Sequence, residues 1–415
     1  FLSPPQQGTA RLSATYTQPV LRGAGRRVNM GRDALALIDT AKAHDQMQED
    51  LEQLIVRVHR AYWELYRHRA IYLQQQRVER EVTMIERALA ARGQVDAARS
   101  QQLQARAALT RVRASIQRSR AEIGDAETTL RSLLASGFLP ADAEAITLTP
   151  PWIYPTQIDL AQAKKNGLHY HPSIGRQLRE IERAAVRIHL TKNDILPTVD
   201  VIFATHANGL EGQFDVDDAI LNQFSVGEPS YSIGFRMDVP LDRRPQQAFQ
   251  RQRRVELRRA VAELQVRVQE VLAGVETSSR AVYTNHEQMA SHYQTILAED
   301  EQTRFLRDRW SNLADEGEAP FLLDRLFESL LRRADAEKEF VTSAAAYNQT
   351  MLELKQAEGT LLYSQNVQMG SSSDAGLPVL LVDALVPQAA PMSRTAARPV
   401  QPLRQARRLP PIPRR

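Results

Sequence analysis

The chain has 415 residues, a net charge of +4, 25% charged residues, 6% aromatics and no cysteine, with a mean hydropathy of −0.41. A helical membrane protein is excluded, because no run of ~18 apolar residues occurs; a disulfide framework, a thiolate metal site and a thiol nucleophile are excluded by the absence of cysteine. The positive charge is local: seven Arg, no Lys and two Asp follow Gln365, so the rest of the chain is close to neutral and has no basic face for nucleic acid.

The chain opens at Phe1 without an initiator Met or the charged and apolar regions of a signal peptide, and reads as a fragment or processed start. Residues 10–20 alternate, with Leu12, Ala14, Tyr16 and Gln18 set against Ser13, Thr15 and Thr17, which predicts a strand closing at Pro19. Over residues 33–91 Leu51, Val58, Leu65 and Tyr72 recur every seven positions. At ~1.5 Å per residue such a helix is a rod of roughly 90 Å. A second helix over 97–135 carries Leu109, Val112, Ile116, Ile123, Leu130 and Leu133. Arg92, Gly93, Gln94 and Val95 lie between them as a tight reversal, with Gly93 suited to a left-handed cap. Residues 27–135 are therefore expected to form a helical hairpin, and 1–140 the first of two repeats.

Pro140, Pro150, Pro151 and Pro155 punctuate a connector over 141–172, in which helix resumes near Ile158 and breaks over 166–172. Helix returns over 173–192 with Ile174, Leu178, Ile181 and Ile188 on one stripe. The period then changes to two. Residues 195–205 predict a strand with Val199, Val201 and Phe203 on one face; a loop over 208–228 follows. Residues 231–241 predict a second strand, alternating Tyr231, Ile233, Phe235, Met237 and Val239 with Ser232, Gly234, Arg236 and Asp238. Strands of about ten residues match a tilted membrane-spanning strand.

Leu257, Val261, Leu264, Val268, Val271, Val275, Val282 and Met289 then keep a four-three rhythm in a helix over 246–313, a coiled-coil seam. Asp315, Glu316, Gly317, Glu318, Ala319 and Pro320 break it, and a closing helix is expected over 321–362. Residues 173–365 form the second repeat: a helix, a strand pair over 195–240 and a helical hairpin over 246–363. The first repeat lacks the helix and strand that open the second; on this reading they would lie before Phe1. The Pro/Arg-rich tail over 366–415 is expected to be disordered.

The fold class is mainly α with a small β part. A strand pair with one apolar face, carried on rods too long for one globule, needs lipid on that face. In lipid every backbone donor and acceptor must pair, so strands survive only in a closed barrel of roughly eight strands or more. Four strands at most per chain cannot close one, so the membrane reading requires oligomerisation.

These features together resemble the TolC-like outer-membrane efflux family. The resemblance rests on the helix-to-strand passage 184–203 with Ile195-Leu196-Pro197-Thr198 at its junction, and on two strand-to-helix exits, Tyr16-Thr17-Gln18-Pro19-Val20-Leu21 and Asp238-Val239-Pro240-Leu241. It also rests on the ordered series Phe321-Leu322-Leu323-Asp324-Arg325-Leu326, Ala345-Ala346-Tyr347-Asn348 and Glu358-Gly359-Thr360-Leu361-Leu362. It covers about residues 10–362. The resemblance implies a homotrimer with a twelve-stranded barrel, four strands per subunit, above a long periplasmic α-barrel in the bacterial outer membrane. It further implies a passive export duct of a tripartite efflux or type I secretion system. That duct would dock to a periplasmic adaptor (membrane fusion protein) and an inner-membrane pump through tips at Arg92, Gly93, Gln94, Val95, Glu316, Gly317, Glu318 and Ala319. The family's Val-Gly tip pattern is replaced by Arg-Gly-Gln-Val and Glu-Gly-Glu-Ala. Asp315 and Asp324 are candidate gate residues, three copies of which would form an acidic, cation-favouring ring; solvated carboxylates at a helix N-terminus are the simpler reading. Pro19, Pro197 and Pro240 mark the barrel-helix junctions.

Nothing in the sequence supports catalysis or a cofactor. Gly23-Ala24-Gly25 lacks the Lys-Ser/Thr of a phosphate loop and reads as a flexible strand exit. His169 and His171 lack a third metal ligand. Trp63, Trp152 and Trp310 read most simply as packing residues, with an interface as the alternative for one of them, and the Arg251 to Arg259 face as solvated helix paired with Glu256 and Glu263. Two other classes account for the helices: a soluble oligomeric coiled-coil scaffold, which does not need the period-two strands, and a periplasmic adaptor, which carries one hairpin and more β structure.

Overall fold

A computed structural model describes residues 8–91, 96–134, 140, 143–211, 216–225, 228–312, 319–371 and 378–382. The chain divides into two units, 1–365 and 366–415.

In the first unit the elements follow in the order β1 (Gly8–Pro19), α1 (Arg26–Asn29), α2 (Gly31–Ala91), α3 (Asp96–Leu134), α4 (Leu160–Tyr170), α5 (Pro172–Asn193), β2 (Thr198–Glu211), α6 (Val216–Ser225), β3 (Ser230–Asp238), α7 (Arg244–Asn312), α8 (Ala319–Ala357) and α9 (Leu361–Ser364). Helices α2 and α3 pack as one antiparallel hairpin and α7 and α8 as another; α2 lies against α8, and α5 packs on both α2 and α7. At ~1.5 Å per residue the 61 residues of α2 and the 69 of α7 span roughly 90 and 100 Å.

The seven-residue rhythm survives in the core. Val275, Val282 and Met289 of α7 are buried against Ala344, Tyr347 and Leu354 of α8. Val78, Val82, Ile85 and Leu89 of α2 meet Leu109, Val112 and Ile116 of α3 and Leu322, Leu323 and Leu326 of α8. Two parts of the expected seam differ. Of the four seam residues predicted in α2 only Leu65 is fully buried, while Leu51, Val58 and Tyr72 are half-buried. In α7 Val261 turns outward and Ala260 inward, because α5 docks there, with Gln177 donating its Nε2 to the Ala260 carbonyl at 3.0 Å.

Four local expectations are corrected. Helix α4 runs through Asn166 to Tyr170, and the break is one extended residue, His171 (φ −67°, ψ 122°), before Pro172. Pro172 opens α5, where its missing N–H costs nothing, and the His171 side chain accepts from the Ser173 N–H. The stretch 208–228 is not all loop: β2 continues to Glu211 and α6 follows. The closing helix stops at Ala357, because Gly359 takes φ +66° and the chain restarts as α9. Trp63 and Trp310 are buried, but Trp152 is 52% exposed.

In the second unit β4 (Val367–Ser371) pairs antiparallel with β5 (Pro378–Val382).

Candidate functional site

The three strands β1, β2 and β3 form one antiparallel sheet in the order β1-β2-β3. Directly paired residues share a face. One face therefore carries the rows Tyr16/Phe203/Ile233, Ala14/Thr205/Tyr231 and Gln18/Val201/Phe235; the other carries Ser13/His206/Ser230, Thr15/Ala204/Ser232 and Thr17/Ile202/Gly234. The apolar face has no cover over most of its length: Tyr231, Ile233, Phe235 and Met237 are 67%, 70%, 79% and 70% exposed. The outer edges of β1 and β3 have no strand partner among the described residues.

The sheet meets the helices at the three predicted prolines. Pro19 ends β1 opposite Asp200, Pro197 immediately precedes β2, and Pro240 follows β3, so all three lie at one end of the sheet. Here Val20 donates its N–H to the Val199 carbonyl at 2.8 Å and Arg22 to the Pro197 carbonyl at 3.3 Å. Asn193, at the end of α5, accepts from the Gly23 N–H at 2.8 Å and donates to the Leu21 carbonyl at 3.4 Å. Gly23 and Gly25 take φ of +81° and +91°, so this glycine pair serves the turn from strand into helix.

The two hairpin reversals lie at the opposite ends of α2 and α7. Leu89 and Ala105 share a core with Trp310, Leu322 and Leu323, which brings both reversals to one end of the helical body. Arg92, Gly93, Gln94, Val95, Asp315, Glu316, Gly317 and Glu318 fall outside the described residues. Ala319 starts α8, and Asp324 is exposed on its next turn.

The proline-punctuated connector is held by borrowed partners. Asn348 accepts from the Trp152 N–H at 3.0 Å and donates to the Trp152 carbonyl at 3.1 Å. The buried Tyr347 hydroxyl donates to the Tyr154 carbonyl at 2.8 Å, and the Tyr283 hydroxyl accepts from the Ile158 N–H at 3.1 Å. This gives the Tyr347-Asn348 pair of the sequence motif its physical role: a stretch without regular structure cannot pair its own backbone, so the helices do it.

Charged groups inside the helical body went unnoticed in the sequence. Arg333 is buried on α8 and pairs with Glu81 at 2.7 Å and Asp300 at 3.4 Å; Glu81 also holds Arg307 at 2.6 Å. Burial raises the Glu337 carboxyl beside them, against the opposing pull of Arg77 and Arg333. Glu52, 1% exposed, is pushed up to about 7 by burial. His171 is pushed down to about 4, first by burial and then by Arg267 and Arg176. Glu52 and His171 line one cavity of ≈ 380 Å³ with Glu49, Arg60 and Glu353. The only hint in the sequence was polar residues at positions where a helix faces its neighbours, which is a weak signal without the neighbours.

No group of three or more potential metal-binding His, Asp or Glu occurs among the described residues, and no described helix is long and apolar enough to cross a membrane. His171 is the α5 N-cap. On the arginine face Arg253 pairs with Glu256 and Arg259 with Glu263, both at 2.7 Å.

An open sheet with one apolar face, joined at one end to two long helical hairpins, is the architecture of the outer-membrane factors, and the chain has this TolC-like fold. It is similar to the outer membrane channel CmeC of Campylobacter jejuni (TM-score 0.62, 12% identity, covering 86% of this chain and 78% of that one). It is also similar to the outer membrane protein VceC of Vibrio cholerae (0.61, 14%, 85% and 87%) and to the open state of the Neisseria gonorrhoeae MtrE outer membrane channel (0.63, 14%, 85% and 80%). No family model matches the sequence, and no curated protein matches it.

Proposed function

We propose that the chain is one subunit of a homotrimeric outer-membrane channel, a passive duct in a tripartite efflux or type I secretion system and not an enzyme. The observation that carries this reading is the sheet: one face apolar and exposed, and both edges without a strand partner among the described residues. Lipid satisfies the face, and only closure with other copies satisfies the edges. The polar face, Ser13, Thr15, Thr17, His206 and Ser232, would then line a water-filled lumen, as in membrane barrels. Apolar residues left exposed on the rods, Leu73, Met84, Leu103, Phe305 and Phe321 at 59–62%, support further helix packing between copies.

On this reading the helices extend the ring into the periplasm. Their reversals at Arg92–Val95 and Glu316–Ala319 dock a periplasmic adaptor and through it an inner-membrane pump. Asp315 and Asp324 stand near that end, where three copies of each would favour cations over anions. Pro19, Pro197 and Pro240 form the collar where barrel strands become tube helices. A soluble coiled-coil scaffold would leave the Tyr231–Met237 face in water, which the exposed area disfavours.

The test is extraction of the full-length protein from outer membranes, with its mass measured before and after heating and its conductance recorded in planar bilayers. A detergent-requiring trimer that dissociates on heating and conducts ions is expected. A species soluble without detergent and silent in bilayers refutes the proposal.

A further inference from the structure

Helix α6 wears its apolar residues on the outside. Its buried positions are Ala219 and Gln223, 0% and 5% exposed, whereas Ile220, Leu221 and Phe224 are 47%, 66% and 72% exposed. An ordinary surface helix does the reverse and turns its apolar stripe to the protein.

Gly209 fixes which face of the sheet α6 covers. A Cβ on Gly209 would come 1.8 Å from the Ala219 carbonyl oxygen, so α6 sits where that side chain would point. Side chains alternate along a strand, so this is the face of Val201, Phe203 and Thr205 and, through the register, of Tyr16, Ile233 and Phe235. Ala10 pairs with Gly209, and Ala207 is next on the same face, so small residues from two strands leave room for the helix. The Asn222 amide donates to the Glu211 carboxylate at 2.7 Å and ties α6 to the end of β2.

We infer that α6 is an interfacial helix, inserting Ile220, Leu221 and Phe224 among lipid acyl chains at the rim of the sheet farthest from the proline collar. The inference rests on the channel reading, which makes the apolar face of the sheet the lipid face. Continuity argues for lipid as the occupant. Aromatic residues on that face reach the row of Thr205 and Tyr231, and the next two rows, Leu12/Ala207 and Ala10/Gly209, have none. Phe224 supplies an aromatic ring at the level where membrane barrels carry an interfacial girdle. The acidic first turn, Asp217 and Asp218, is exposed and gives the helix a polar end for the headgroup layer.

Because the chain has no cysteine, single nitroxide labels can be placed unambiguously. Full-length protein carrying Phe224→Cys, Asp218→Cys or Phe235→Cys is labelled and reconstituted into phosphatidylethanolamine/phosphatidylglycerol vesicles. Collision rates with oxygen and with a neutral nickel chelate are then read by EPR. Labels at 224 and 235 should both favour oxygen, with ratios several-fold above that at 218. If 235 favours oxygen while 224 favours nickel, the α6 inference fails and the channel reading stands. If 235 also favours nickel, the channel reading fails with it. A label at 224 shielded from both reagents means that protein covers this face, and overturns the inference.

Discussion

Glu52 and His171 face one cavity and titrate in opposite senses, so each masks the other. The Glu52 carboxyl moves from 4.5 to about 7 on folding, by burial. Folded protein thus holds its proton more tightly than unfolded chain. The associated stability is complete below pH 4.5 and is lost as pH rises through about 7. The His171 ring moves from 6.5 to about 4. Its contribution is complete above pH 6.5 and is lost as pH falls toward 4. At ~1.4 kcal/mol per pH unit each displacement corresponds to about 3 kcal/mol. The two windows overlap between pH 4.5 and 6.5 with opposite slopes, so the two contributions largely cancel there.

Single substitutions separate the two. His171→Asn keeps an N-cap acceptor for the Ser173 N–H but cannot protonate; the variant should gain about 3 kcal/mol when taken from pH 7.5 to pH 4.5, the slope of Glu52 alone. Glu52→Gln keeps a partner for the Gln48 amide. It should lose about 3 kcal/mol over the fall from pH 7 to pH 4, the slope of His171 alone. Urea unfolding of detergent-solubilised protein, followed by far-UV circular dichroism at constant ionic strength, measures both. Profiles for the two variants that run parallel to the parent would refute the assignment of these groups as buried and oppositely shifted.

Gly359→Ala should destabilise by more than about 2 kcal/mol, since left-handed backbone alone costs an alanine about 1 kcal/mol. Its Cβ would also lie 2.5–2.6 Å from backbone atoms of Tyr170 and His171. The melting temperature checks this. Arg333→Met should cost about 1–3 kcal/mol, because it takes one cation from Glu81, which keeps Arg307, and one from Asp300, which keeps Arg304; thermal melts measure the loss. Asn348→Ala removes both partners of the Trp152 backbone and should cost about 1–3 kcal/mol. It should also speed amide exchange and proteolysis around residue 152 before the helical hairpins open.

Whatever depended on spacing along one element was legible in the sequence. Leu65 and the Val275, Val282 and Met289 series fall on a seven-residue spacing because a helix presents one face to its partner, so the rods could be drawn from apolar spacing. The alternation from Tyr231 to Met237 likewise marked a strand with one apolar face, and Pro19, Pro197 and Pro240 marked the end of β1, the start of β2 and the end of β3. Juxtaposition across the chain was not legible. Helix α6 has its seat because Ala10 of β1 comes beside Gly209 of β2, two small residues some two hundred positions apart. Glu52 and His171 become opposed titrating groups only because α2, α7 and α8 close one cavity around the α4–α5 break. Arg333 finds Glu81 and Asp300 on two different helices. A residue's own spacing sets which way it faces within its helix or strand, but what it faces, and therefore its burial, its charge state and its partner, is set by elements that meet only when the whole chain has packed.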